Sequence, residues 1–142
     1  MMEFSLDPRL TADTLEIGNL DLCYVGLMKD ARFAWLILVP RKPNLIELTD
    51  LDRDDRIQLL DEAVKCSRAL TSVFGNFDKI NTAALGNVVS QLHVHVIGRR
   101  TSDPAWPAPV WGHGEAQAYL DADLCNICER LRKSLSTVSN ET

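Results

Sequence analysis

Apolar and polar residues alternate over Gln91-Leu92-His93-Val94-His95-Val96-Ile97. A period of two marks a strand with unlike faces. Leu92, Val94 and Val96 then face a core, while Gln91, His93 and His95 share the other face, neighbours spaced by roughly 6–7 Å of strand rise. The pattern predicts a strand over 88–97. Strand-like material also runs over 15–27, roughly alternating from Leu20 to Leu27, with a turn at 28–31. Residues 32–39 are densely apolar and stop at Pro40, as expected of a central strand buried on both faces. Residues 79–86 read as a strand ending in a glycine turn, paired antiparallel to the histidine strand through a short Gly-Asn connection.

Two segments carry helical spacing. Over 52–75, Ile57, Leu60, Val64, Ser67, Leu70 and Phe74 form one stripe expected to face the core. Asp52 suits the N-cap, Asp54 and Asp55 the positive end of the helix dipole, and Gly75 the stop. From Asp121, Leu124, Ile127, Cys128, Leu131 and Leu135 mark a second helix, fraying from Ser136. Residues 101–112, with three prolines and two tryptophans, read as an extended surface loop. The first ten residues read as a loosely held lead-in. The order strands, helix, strands, helix predicts an α+β fold with a mainly antiparallel sheet, one long helix and a C-terminal helix.

At 142 residues the chain is the size of one domain, so residues 1–142 are read as a single unit with a C-terminal loop and helix over 101–138. It is 46% hydrophobic and 25% charged, ordinary for a globular protein. A net charge of −5 argues against a nucleic-acid-coating role. No apolar run approaches the ~20 residues a bilayer needs, and the first residues lack a basic region and an apolar signal core, so a cytoplasmic protein is expected. The four cysteines are then expected to be reduced. Cys125 and Cys128 have the spacing of a redox or zinc pair, but they sit in a helical pattern with no second pair.

Three readings of His93 and His95 stay open. They can be structural, on a strand face. They can be two nitrogen ligands of a metal, with His113 the one further histidine; nothing marks a third ligand, and no metal or cofactor is called for. Or one can act as a nucleophile at phosphorus, since neutral imidazole predominates near pH 7 and a phosphoramidate intermediate divides one displacement into two. Gln91 and Asn87 then offer amide donors, and Arg99, Arg100, Lys79, Arg41 and Lys42 local positive charge. Trp35 reads as core. Trp106 and Trp111 suit covering the sheet or lining a ligand or dimer surface.

The residues resemble the histidine triad (HIT) family, whose motif is His-φ-His-φ-His-φ-φ with φ apolar. Gln91-Leu-His93-Val-His95-Val-Ile fits that frame and is followed by Gly98-Arg99. Trp35-Leu-Ile-Leu-Val-Pro-Arg-Lys is similar to the family's strand-then-Pro-basic segment, and Gly86-Asn87 stands where members have Gly-Gln. The resemblance covers roughly 12–111, and the Trp/Pro-rich tail looks like that of a bacterial subgroup. It implies a two-fold homodimer, a nucleotide or dinucleotide substrate, and hydrolysis or transfer at an α-phosphate through a nucleotidyl-histidine. By the same resemblance, His93 is the nucleophile and His95 contacts phosphate and leaving group. Gln91, Asn87 and Arg99 belong to the substrate site, and Asp30 lies near the ribose hydroxyls. Gln91 replaces the first motif histidine, and an amide cannot exchange a proton at neutral pH. That favours substrates with a good leaving group, such as dinucleoside polyphosphates, over phosphoramidates. The alternative is a non-catalytic purine-nucleotide-binding module of the same fold.

Overall fold

In the computed structural model of the chain, residues 3–137 are described. Five strands form one antiparallel sheet in the order β1-β2-β3-β5-β4. β1 is Thr14–Asn19, β2 Cys23–Met28, β3 Ala34–Pro40, β4 Lys79–Ala83 and β5 Val94–Arg99; α1 is Pro8–Asp13, α2 Arg53–Phe74 and α3 Asp121–Thr137. After β3 the chain crosses one sheet face as α2, forms the edge strand β4, and returns as β5 between β3 and β4.

Strand parity divides the interior into two layers. Leu36 and Leu38 of β3, with Val94 and Val96 of β5, meet α2 and α3 through Leu59, Cys66, Leu70 and Leu131. Trp35, Ile37 and Val39 of β3, with Ile97 of β5, face the opposite layer, closed by Leu10, Val89, Ala105 and Val110. β3 is buried along its whole length, as expected of a strand covered on both faces.

α2 begins and ends where its chemistry places it. The Asp52 carboxylate accepts the Asp55 N–H, and Gly75 at φ 89° closes the last turn with its N–H on the Thr71 carbonyl. Its buried face is not the expected one. Leu59, Glu62, Ala63, Cys66, Ala69 and Leu70 are buried, whereas Ile57, Leu60 and Val64 are exposed. The small side chains Ala63, Cys66 and Ala69 let the helix lie close to the sheet, which rotates the larger ones outward. Glu62, fully buried, accepts the backbone N–H groups of Leu22 and Cys23 and the Gln58 amide. One helix carboxylate thereby bolts down the β1–β2 turn.

Three other expectations change. The 15–27 segment is a hairpin, because the Leu20 N–H bonds to the Cys23 carbonyl and turns the chain. The lead-in contains α1, capped by Asp7 with Pro8 at its start and Leu10 buried. The histidine strand is shorter than 88–97: residues 87–93 are a loop, and Leu92 bonds to Leu45 rather than to a strand. The second helix lies as expected and runs to Thr137; the fraying expected from Ser136 falls mainly on residues 138–142, outside the described residues.

Candidate functional site

His93 and His95 sit at the start of β5 on the face away from α2. Their rings lie 4.8 Å apart, on a cleft of about 680 Å³ whose walls include Trp35, Trp111, Asp30 and the Gly86–Val89 loop. That volume suits a small organic ligand.

Backbone carbonyls and an indole set the two tautomers. His93 Nδ1 lies 2.7 Å from the Gln91 carbonyl oxygen. A carbonyl only accepts, so Nδ1 carries the proton and Nε2 keeps the lone pair. Position 91 does this with its main chain, so a glutamine serves as well as a histidine. The Trp35 indole N–H donates to His95 Nδ1 at 3.0 Å, so Nδ1 is the bare nitrogen there. Nε2–H donates to the Leu85 carbonyl oxygen at 3.1 Å. Both His95 nitrogens are engaged, and a second proton would displace the indole.

Burial pushes the His95 pKa from 6.5 down to about 4, opposed by the Leu85 carbonyl and aided by the neighbouring His93. His95 is thus neutral throughout the physiological range. The consequence for stability follows from linkage. Above pH 6.5 the ring is neutral folded and unfolded. Between pH 6.5 and 4 the unfolded chain binds a proton that the folded one refuses, so stability falls as pH falls. At about 1.36 kcal/mol per pH unit, the loss reaches about 3 kcal/mol by pH 4. Urea unfolding across that interval checks it: the slope is expected to flatten in His95→Gln, and equal slopes would refute the assignment.

Gly86 abuts this pair. A Cβ there would stand 2.8 Å from the Val89 carbonyl oxygen and 3.7 Å from His93 Cε1, so the loop closes on the ring only with glycine. Asn87, next in sequence, is exposed on the cleft wall. Asp30 is also on the wall, 3% exposed. Burial opposes its ionisation, but hydrogen bonds from the Arg32 side chain and the backbone N–H groups of Arg32 and Gln117 hold its carboxyl below the usual range. Arg32 also donates to the His113 carbonyl oxygen at 2.5 Å. Asp30 and Arg32 thus pin the segment that continues the wall past Trp111.

Two of the residues expected at the substrate lie elsewhere or are otherwise engaged. Arg99 shares the histidine face but sits roughly 13 Å beyond His95 along the strand. It is 1% exposed, its fork is filled by Asp103, Asn81 and Ala108, and it does not line the cleft. Gln91 points its amide at the N-terminal segment. Arg100 and Arg41 bond to backbone carbonyls of Phe74 and Leu20; the cations on the cleft are Arg9, Lys29 and Arg32. Trp111 lines the cleft, edge-on to His95 at 5.0 Å, while Trp106 lies under the Arg99 guanidinium. Trp35, read as core, is buried and also touches the chemistry. Its contact with His95 depends on β3–β5 register, with Ile37 opposite His95, which no local pattern reveals. Arg9, in the supposed lead-in, left no signal either.

Among the described residues no three His, Cys, Asp or Glu side chains are grouped to hold a metal. The four cysteines are free thiols, and burial drives the pKa of Cys66 up to about 12. No described helix is long and apolar enough to cross a membrane.

A five-stranded antiparallel sheet with helices, carrying a buried imidazole pair at the head of an internal strand, defines an α+β protein with a histidine-lined cleft. The chain belongs to the HIT domain family, whose profile matches residues 9–102. It is 46% identical to a histidine triad protein from Bradyrhizobium japonicum (TM-score 0.90, covering 94% of this chain and 99% of that one). A histidine triad protein from Marinobacter aquaeolei VT8 is 40% identical (TM-score 0.91, 97% and 100% covered). One from Sinorhizobium meliloti 1021 is 43% identical (TM-score 0.88, 92% and 96% covered). No curated protein matches the chain.

Proposed function

We propose that the protein is a nucleotide hydrolase or nucleotidyl transferase with His93 as nucleophile. The observation that carries this is the Gln91 carbonyl on His93 Nδ1, which leaves Nε2 unprotonated; membership of the HIT family supports it. Nε2 attacks an α-phosphorus, a P–N bond forms, and the P–O bond to the leaving group breaks with its electron pair. Water, or an acceptor hydroxyl in transfer, then attacks the same phosphorus. The P–N bond breaks with its electron pair returning to Nε2, which restores His93; the nucleoside monophosphate departs after attack by water, or the nucleotidylated acceptor after transfer, and the proton of the attacking group goes to solvent. In this reading the Gly86–Asn87 loop, which lines the cleft, meets phosphate oxygens, and Asp30 Oδ2, which accepts one bond from Arg32, accepts from ribose.

Neutral His95 is a poor proton donor, so the leaving group must depart without one. Phosphate does so more readily than an amine, which favours dinucleoside polyphosphates. Assay without added metal checks this: turnover of diadenosine polyphosphates is expected to exceed that of nucleoside phosphoramidates, and the reverse order would contradict it. The full engagement of both His95 nitrogens favours a second reading, a purine-nucleotide-binding module without turnover. Calorimetry with AMP and a search for a covalent adduct separate the two.

We also infer a homodimer, across β4. Its outer edge is unpaired, an open invitation to a second strand. Beside it Leu60, 64% exposed, lines an apolar groove of about 260 Å³ between α2 and β4, and Val64 on the same helix is also exposed. A two-fold axis there would join the sheets and cover both patches. Light scattering is expected to give twice the 15.9 kDa chain mass and a single chain for Leu60→Asp. A monomeric wild type would refute the dimer. Free thiols accord with the reducing cytoplasm, where we place the protein.

A further inference from the structure

The Gln91 amide is occupied, and not by the cleft. Its Oε1 accepts the Asp7 N–H at 2.8 Å and its Nε2 donates to the Ser5 carbonyl oxygen at 2.9 Å. An amide presents an acceptor and a donor side by side, as a neighbouring strand would. These bonds reach across 84 and 86 residues, so they dock the N-terminus onto the loop that precedes β5. Directly after the docked residues, α1 starts at the Asp7 cap and Pro8.

The next residue is Arg9. Its Nη1 donates to the Val88 carbonyl oxygen at 2.8 Å, and Val88 belongs to the loop whose Gly86 lies against His93. Arg9 lines the same cleft as His93. Among the described residues it forms no ion pair, unlike Arg32, which Asp30 neutralises. Nε and Nη2 of Arg9 thus carry donors and charge to the rim of the nucleophile's cleft with no carboxylate of the described residues in an ion pair with them. A guanidinium so placed is suited to phosphate oxygens.

We propose that Gln91 is a positioning residue that, through the docked N-terminal segment, presents Arg9 to the phosphate chain beyond the α-phosphate. The pair thereby selects substrates whose leaving group is an anionic polyphosphate. This rests on the nucleotide reading of the cleft and deepens it by naming what departs. Arg9 stabilises the negative charge that collects on the leaving phosphate as the P–O bond breaks, the role His95 is ill-suited to fill by proton transfer. The replacement of the first motif histidine is then an exchange of function: the main chain at 91 still orients His93, and the side chain recruits a cation from outside the triad.

Calorimetry on full-length His93→Asn, which is expected to bind without turning over, tests this with AMP and diadenosine tetraphosphate as probes. Arg9→Ala in that background is expected to weaken the tetraphosphate about tenfold, the scale of one charge-assisted contact. AMP affinity is expected to change less than about twofold. Gln91→Ala is expected to show the same split, and Arg9→Lys to recover part of the loss. The double variant is expected to be no weaker than either single one, because both changes remove one interaction. Equal losses for both ligands, no loss for either, or losses that multiply in the double variant would overturn the proposal. Failure of the parent to bind any nucleotide is a different outcome, and it would refute the nucleotide reading and this inference with it.

Discussion

His93→Ala is expected to lower turnover about 10⁶-fold, the scale seen when a covalent nucleophile is removed. Only His93 combines a lone pair at Nε2, enforced by the Gln91 carbonyl, with a place on the cleft wall. His95 cannot substitute, since its bare nitrogen is held by the Trp35 indole. The fold should survive. Alanine forfeits one hydrogen bond, worth about 1 kcal/mol, and the packing of a ring that borders open cleft space on one side. Loss of activity is therefore expected with a thermal midpoint near that of the wild type and with nucleotide binding retained. Steady-state kinetics beside calorimetry read both, and substantial turnover by His93→Ala would remove the nucleophile from the mechanism.

Arg99→Ala is expected to do the opposite: to destabilise the protein by about 3–5 kcal/mol while leaving nucleotide affinity of the folded fraction unchanged. The guanidinium is buried, paired with Asp103 through two bonds of 2.8 and 3.1 Å, and capped by the carbonyl oxygen of Ala108 and the Asn81 amide oxygen. Phe33 and Trp106 rings flank it. Asp103 in turn gathers the backbone N–H groups of Arg100, Ala105 and Trp106. Removing the buried cation leaves half-buried Asp103 without its ionic partner and the Asn81 and Ala108 oxygens without their donor, and breaking such a pair from its buried side is costly. Urea unfolding measures it. A small change in stability with a large drop in affinity would restore Arg99 to the substrate site.

How far the chain could be read depended on whether the signal was local. Period-two alternation is local, so Leu92, Val94 and Val96 separated from His93 and His95 before any fold was known, and both layers honour that division. Asp52 and Gly75 are local stop signs, and α2 spans between them. Its inward face was another matter. Leu59 and Leu60 are adjacent, a rotation of about 100° apart, and both fit an apolar stripe. The choice between them falls to the small residues Ala63, Cys66 and Ala69, which set how closely the helix approaches the sheet. At the site, the imidazoles were legible and their controls were not. Trp35 reaches His95 across 60 residues, Gln91 reaches Ser5 across 86, and Arg9 reaches Val88 across 79. Arg99 followed the motif and lay on the right face, yet the Trp/Pro-rich loop claims it four residues further along through Asp103.

The role of His93 is tested most directly by trapping its intermediate. Protein mixed briefly with a diadenosine polyphosphate and quenched in alkali, where the P–N bond survives, is digested and weighed. The expected result is one adenylyl group on the peptide that contains His93, absent from His93→Ala. Turnover with no such adduct, or an adduct on any other residue, would contradict nucleophilic catalysis by this histidine.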